Sequence, residues 1–147
     1  ERLELARGQG ATDTLLAGEG VVEAILEMTG GFGADYTFEA TGNVSVMRQA
    51  VESARMGWGL CTIAGVAGRG ETLEVIPRYL ITGRRVCGSS FGGLKGREDV
   101  PALIERHMAG EIDVAPFISH RLTLEEVNRG FELMEAHDGV RSVIEFD

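Results

Sequence analysis

Cysteine is scarce. The chain has 147 residues and two of them, Cys61 and Cys87, are cysteine. That is too few for a disulfide scaffold and fits a reducing cytosol. No Cys-x-x-Cys pair occurs, and His107, His120 and His137 lie far apart without a second ligand at helical spacing. No metal site is therefore expected within the chain. Positive charge is also short: 14 Lys and Arg against 23 Asp and Glu leave a net charge of −9. Phosphate contacts need clustered basic residues, so nucleic-acid and anionic-membrane surfaces are not expected. The uncharged run Trp58–Gly68 is too short and too rich in glycine to span a bilayer. There is no Gly-x-Gly-x-x-Gly: Gly8-Gln9-Gly10, Gly57-Trp58-Gly59 and Gly68-Arg69-Gly70 all fail at the third glycine. A Walker-type lysine and a Gly-x-Ser-x-Gly elbow are missing as well. No initiator Met or signal peptide opens the chain, and Glu1–Arg7 reads as the middle of an amphipathic helix already under way. The expectation is a piece of a longer, cytoplasmic protein.

What is present is a globular composition, 44% hydrophobic and 25% charged, with 21 glycines that suggest many tight turns. The spacing predicts alternating strands and helices. Ala11–Leu16 reads as a short strand, and Val21, Val22, Ile25, Leu26 and Thr29 as a helix stopped by Gly30-Gly31. Asp35–Ala40 alternates as a strand. Met47, Ala50, Val51 and Ala54 form the next helical stripe, and Leu60–Ala64 a buried strand. Pro77 starts a short helix through Ile81, and Arg85–Phe91 is a further strand. Pro101 is placed in the first turn of a helix that carries His107 on an exposed face. Thr123–Glu126 is a capping box before an apolar face of Leu124, Val127, Phe131 and Met134. His120 is placed on a strand, and Arg141–Phe146 is a last one. Strand–helix alternation to about residue 90 means βαβ units and a parallel sheet.

Ligands of such sheets bind at the carboxyl ends of the strands. Three ends are readable: Ala40-Thr41-Gly42-Asn43, Ala64-Gly65-Val66-Ala67 and Gly88-Ser89-Ser90-Phe91-Gly92-Gly93. Each joins a buried strand to an exit with glycine, where a ligand can approach the backbone closely; the plainer reading is that these glycines only make turns. Arg141 is either a solvated arginine or a planar fork for a phosphate. Asn43-Val44-Ser45 matches a glycosylation sequon and is read as chance.

Several motifs run collinearly along the chain: Gly10-Ala11-Thr12-Asp13, Phe38-Glu39-Ala40-Thr41-Gly42, Gly57–Thr62, Ile63-Ala64-Gly65-Val66, Gly83-Arg84, Phe91-Gly92-Gly93 and Val140-Arg141-Ser142. Together they resemble the zinc-dependent medium-chain alcohol dehydrogenases, and within them the class III branch, the glutathione-dependent formaldehyde dehydrogenases. The likeness covers roughly the C-terminal two-fifths of such an enzyme. It implies an α/β fold: residues 1–90 as the second half of a doubly wound Rossmann-type parallel sheet, strands three to six of the order 3-2-1-4-5-6. Residues 91–147 would be an α+β tail that packs on a catalytic domain outside the chain.

The resemblance also implies NAD, with NADP as the alternative coenzyme, and hydride transfer from an alcohol at a zinc held elsewhere in the full-length protein. Arg2 would reach the adenosine ribose. Ala40, Thr41 and Gly42 would line the adenine side with Asn43 at the rim. Ala64, Gly65 and Val66 would meet the nicotinamide. The Ser89 and Phe91 main chain would hold its carboxamide, and Arg141 a pyrophosphate oxygen. Val66 and Ser90 would face a small-molecule alcohol. Thr72–Ser89 resembles the segment that joins coenzyme domains into a homodimer or tetramer. No catalytic residue and no metal ligand is placed in this chain. The readings weighed beside this one are a zinc-free quinone-reductase-type enzyme and a non-catalytic nucleotide-binding or dimerisation module. Strands stripped of their neighbours predict that the isolated segment is poorly stable, aggregates or leans on a partner.

Overall fold

The computed structural model describes residues 2–146. They divide into two compact units, residues 16–94 and residues 2–15 with 95–146.

The first unit holds a three-stranded parallel sheet. Helix α2 (Val21–Met28) precedes β1 (Tyr36–Glu39), then come α3 (Val44–Ser53), β2 (Leu60–Ile63), α4 (Pro77–Ile81) and β3 (Arg85–Gly88). The strand order is β1-β2-β3, with β2 in the centre. Each strand is linked to the next by a segment that carries a helix, as parallel pairing requires. Thr29 ends α2 by donating its hydroxyl to the Ile25 carbonyl at 2.7 Å. Asn43 caps α3: its Oδ1 accepts from the Ser45 N–H at 2.9 Å, which satisfies one orphan donor of the first turn. Pro77 opens α4, where its missing N–H costs nothing.

The apolar stripe of α3 makes the core. Val51, Ala54 and Cys61 are buried together, with Ala50, Ile63 and Val75 packed against them. The Thr37 hydroxyl donates to the Ala50 carbonyl at 2.8 Å and ties β1 to this helix. Arg84 donates from Nε to the Ala54 carbonyl at 2.6 Å, placing a cation where the α3 backbone ends. Burial pushes the Cys61 thiol pKa up, partly opposed by its hydrogen bond with Thr37. The opposite face of the sheet is open among the described residues: Tyr36 is 66% and Phe38 74% exposed.

The second unit contains α1 (Arg2–Gly8), α5 (Gly96–Met108), β4 (Ile118–Leu122), α6 (Val127–Glu135) and β5 (Arg141–Ile144). Strands β4 and β5 pair in parallel, with a bulge between Ile118 and His120. The capping box forms as expected, the Glu126 carboxylate accepting from the Thr123 N–H at 3.0 Å. No helix among the described residues is long and apolar enough to cross a membrane.

Several local expectations change. Ala11–Leu16 is not a strand; a strand exists only through a ladder partner, and none of the described strands pairs with it. The strand expected over Arg85–Phe91 stops at Gly88, because Phe91–Gly93 turns as a short 3-10 segment. The last strand stops at Ile144, not Phe146. Helix α5 starts at Gly96, so Pro101 lies inside it rather than in its first turn. Glu98 and Asp99 near the positive helix end support that earlier start. Cys87 is exposed on the edge strand, not buried as its apolar neighbours suggested. The face of Leu124, Phe131 and Met134 is likewise exposed.

Candidate functional site

The register brings the three strand ends into line. Glu39 is opposite Ile63, and Ile63 opposite Gly88. The three exits therefore leave from one edge of the sheet: Ala40–Asn43, Ala64–Val66 and Ser89–Phe91. The Ser89 N–H still reaches the Ile63 carbonyl at 2.9 Å, continuing the ladder one step past β3. Ala40, Thr41, Asn43, Ala64, Val66, Ser90 and Phe91 are exposed along this edge, and Val66 is 90% accessible. Gly42, Gly65 and Ser89 are half-buried.

The glycines of the first two exits have a specific job. Gly42 has a φ of +80°, the left-handed region that disfavours a side chain. A Cβ there would strike the Val66 carbonyl, and a Cβ on Gly65 would lie 2.5 Å from Glu39 Oε2 and collide with the Gly42 backbone. The missing side chains let the two turns touch each other. Gly88, in the third exit, has open space where a side chain would stand.

Beneath the turns lies a residue that sequence reasoning passed over. Glu39 is 1% exposed, although it closes a strand of an edge that faces solvent. Its Oε1 accepts from the Thr41 N–H at 2.6 Å, the Thr41 hydroxyl at 2.5 Å and the Gly42 N–H at 3.1 Å. Its Oε2 is buried with no hydrogen-bond partner. The signal available in the sequence was a carboxylate just before a Thr-Gly turn, the pattern of a side chain that folds back on its own backbone.

The second unit gathers Arg2 and Arg141 into one cleft of about 230 Å³, lined also by His137, Asp138, Gly139 and Ser142. The Arg2 guanidinium donates to the His137 carbonyl at 3.2 Å and the Gly139 carbonyl at 2.7 Å, which pins it to the turn before β5. Arg141 is exposed at the start of β5. Two guanidinium groups at one cleft suit an oxyanion such as a phosphate. Among the described residues, no three His, Cys, Asp or Glu side chains come together in a group that holds a metal. These residues do not fit a zinc site.

A parallel sheet whose strands end in register, with helices between them, places the chain in the parallel α/β class. Within that class, the chain belongs to the zinc-binding dehydrogenase family, whose profile matches residues 1–109. It is 44% identical over 148 aligned positions to an S-(hydroxymethyl)glutathione dehydrogenase of Synechocystis sp., covering 99% of this chain and 40% of that protein. It is 51% identical over 114 positions to an alcohol dehydrogenase class-3 of Cereibacter sphaeroides, covering 78% of this chain and 30% of that one. Among solved structures it is similar to an alcohol dehydrogenase zinc-binding domain protein from Burkholderia ambifaria, with a TM-score of 0.88 and 26% identity over 99% of this chain and 39% of that one. Benzyl alcohol dehydrogenase from Acinetobacter calcoaceticus shares the fold at a TM-score of 0.88, with 22% identity, 99% of this chain and 40% of that chain covered. The chain thus spans about 40% of the length of the curated relatives it matches.

Proposed function

We propose that this chain is the coenzyme-holding portion of an NAD-dependent zinc alcohol dehydrogenase that oxidises a primary alcohol or a hydroxymethyl adduct of glutathione. The observation that carries the reading is the alignment of three exposed turns at the carboxyl edge of one parallel sheet. Identity to proteins named S-(hydroxymethyl)glutathione dehydrogenase along 99% of this chain favours that substrate class. In this reading, Ala40, Thr41, Gly42 and Asn43 border the adenine, and Ala64, Gly65 and Val66 meet the nicotinamide. Ser89 and Phe91 offer main-chain groups to its carboxamide. Arg2 serves the adenosine ribose, Arg141 takes a pyrophosphate oxygen, and Ser90 joins Val66 beside the substrate. This chain contributes orientation of the coenzyme. Zinc, held by residues outside the chain, would supply Lewis-acid polarisation of the alcohol oxygen.

The segment Thr72–Ser89 is the proposed contact between two copies in a cytoplasmic homodimer or tetramer. Every residue of the edge strand β3 is exposed, and Ile81 on α4 beside it is 85% accessible. An uncovered edge of this kind is otherwise a liability.

The test is NADH formation at 340 nm by the full-length enzyme, with simple primary alcohols and with formaldehyde in the presence and absence of glutathione. Turnover that needs NAD, glutathione and bound zinc is expected. Coenzyme binding without turnover of any alcohol would instead support a non-catalytic module, and turnover of quinones without zinc a reductase.

A further inference from the structure

We propose that Glu39 is a positioning residue that locks the adenine-side and nicotinamide-side turns into one preformed surface for the dinucleotide. The proposal rests on the coenzyme reading above and assigns a residue to which that reading gave no role. Glu39 grips both turns at once. Its carboxylate holds the first through Thr41 and Gly42, as described. Its main-chain carbonyl holds the second, accepting from the Ala64 N–H at 2.7 Å and the Gly65 N–H at 3.0 Å. Between these two grips the turns touch where Gly42 and Gly65 have no side chains.

Charge is the reason for a glutamate. Hydrogen bonds to an ionised acceptor are roughly twice as strong as neutral ones. A glutamine or threonine would close the turn at lower desolvation cost, because a buried carboxylate is expensive and here one oxygen is left without a partner. Local expense of this kind is kept where a site needs a fixed geometry. Fixing the turns before the coenzyme arrives removes the cost of ordering them from binding. The consequence falls on coenzyme affinity and not on the chemical step, which other residues carry.

The experiment uses the full-length enzyme as parent, Glu39→Gln, Glu39→Ala and Thr41→Val, with NADH titrated by fluorescence and steady-state kinetics varied in NAD and in alcohol. Losing charge-assisted bonds to both turn residues should raise the NADH Kd and the KM for NAD about tenfold in Glu39→Ala. Glu39→Gln, which keeps a neutral acceptor, should sit between parent and Glu39→Ala. Thr41→Val, which removes one bond of the set, should raise the same two constants by less. In the two Glu39 variants, kcat at saturating NAD should stay within about threefold and the KM for alcohol within about twofold, since only coenzyme binding has lost preorganisation. A merely structural strut would lower the folded fraction and leave both KM values of the folded enzyme unchanged; that result overturns the proposal. If Glu39→Ala does not fold, Glu39→Gln and Thr41→Val decide it, and coenzyme constants within twofold of the parent in both overturn it. A parent that binds no NADH removes the coenzyme reading itself. A parent that binds it, with variants that bind equally well, removes only the role of Glu39.

Discussion

A methyl group added at position 65 meets Glu39 Oε2 and the Gly42 backbone at once. Neither can retreat, because Glu39 is buried and Gly42 is held by it. Gly65→Ala is therefore expected to cost about 1–3 kcal/mol, the usual range for overpacking. The denaturant midpoint of the full-length protein measures it, and an unchanged midpoint would contradict the packing described. Cys61 offers a test of sign. Its thiol pKa is raised by burial above the ordinary 9.0, so the folded state keeps a proton that the unfolded state releases. The contribution to stability is whole below that ordinary value and is lost as pH rises through the raised one. Stability should fall on going from about pH 8 to about pH 10, with a shallower fall in Cys61→Ala, and iodoacetamide should reach Cys61 only after denaturation. Equal slopes in the two proteins would sink this. At this scale the exposed strand exits were legible, since glycine after a short apolar run announces them. Glu39 was not, because a carboxylate next to a turn reads as solvated until three-dimensional packing closes over it.

At the scale of elements, the capping box before α6 is a second point of leverage. The Glu125 carboxyl is held below its ordinary pKa by hydrogen bonds with its own backbone N–H and with the Thr123 hydroxyl. A lowered carboxyl stabilises the fold above its unfolded pKa and ceases to do so as pH falls through the folded one. Thr123→Ala should cost about 1 kcal/mol at neutral pH, as loss of an N-terminal cap does, and less in acid. Thermal melts at the two pH values check both parts, and a pH-independent loss would contradict the Glu125 contribution. The helices were legible where apolar spacing and stop signals agreed: α2 and α3 fall over the expected stripes, and α4 runs from Pro77 to Ile81. Strand ends were less so. Ala11–Leu16 has a strand's composition but no ladder, and pairing is a property of two segments. Pro101 misled because a proline also stands in a helix interior, at the cost of one backbone hydrogen bond.

For the whole molecule, a parallel sheet with one face bare is the governing fact. Sheets of this type bury both faces, and here Tyr36 and Phe38 face solvent among the described residues. Expressed alone, residues 1–147 should bind a hydrophobic dye and associate as concentration rises, as sedimentation velocity reports. A monodisperse monomer that binds no dye would contradict the account. The parallel class was legible from strand–helix alternation. The grouping of residues 2–15 with residues 95–146 was not, because contacts over that separation leave no local pattern. The claim that this segment holds the coenzyme is tested most directly by hydrogen exchange of the full-length protein with and without NADH. Slowed exchange at residues 40–43, 64–66, 89–91 and 139–141 is expected on binding. Tight NADH binding that leaves all four stretches unchanged would contradict it.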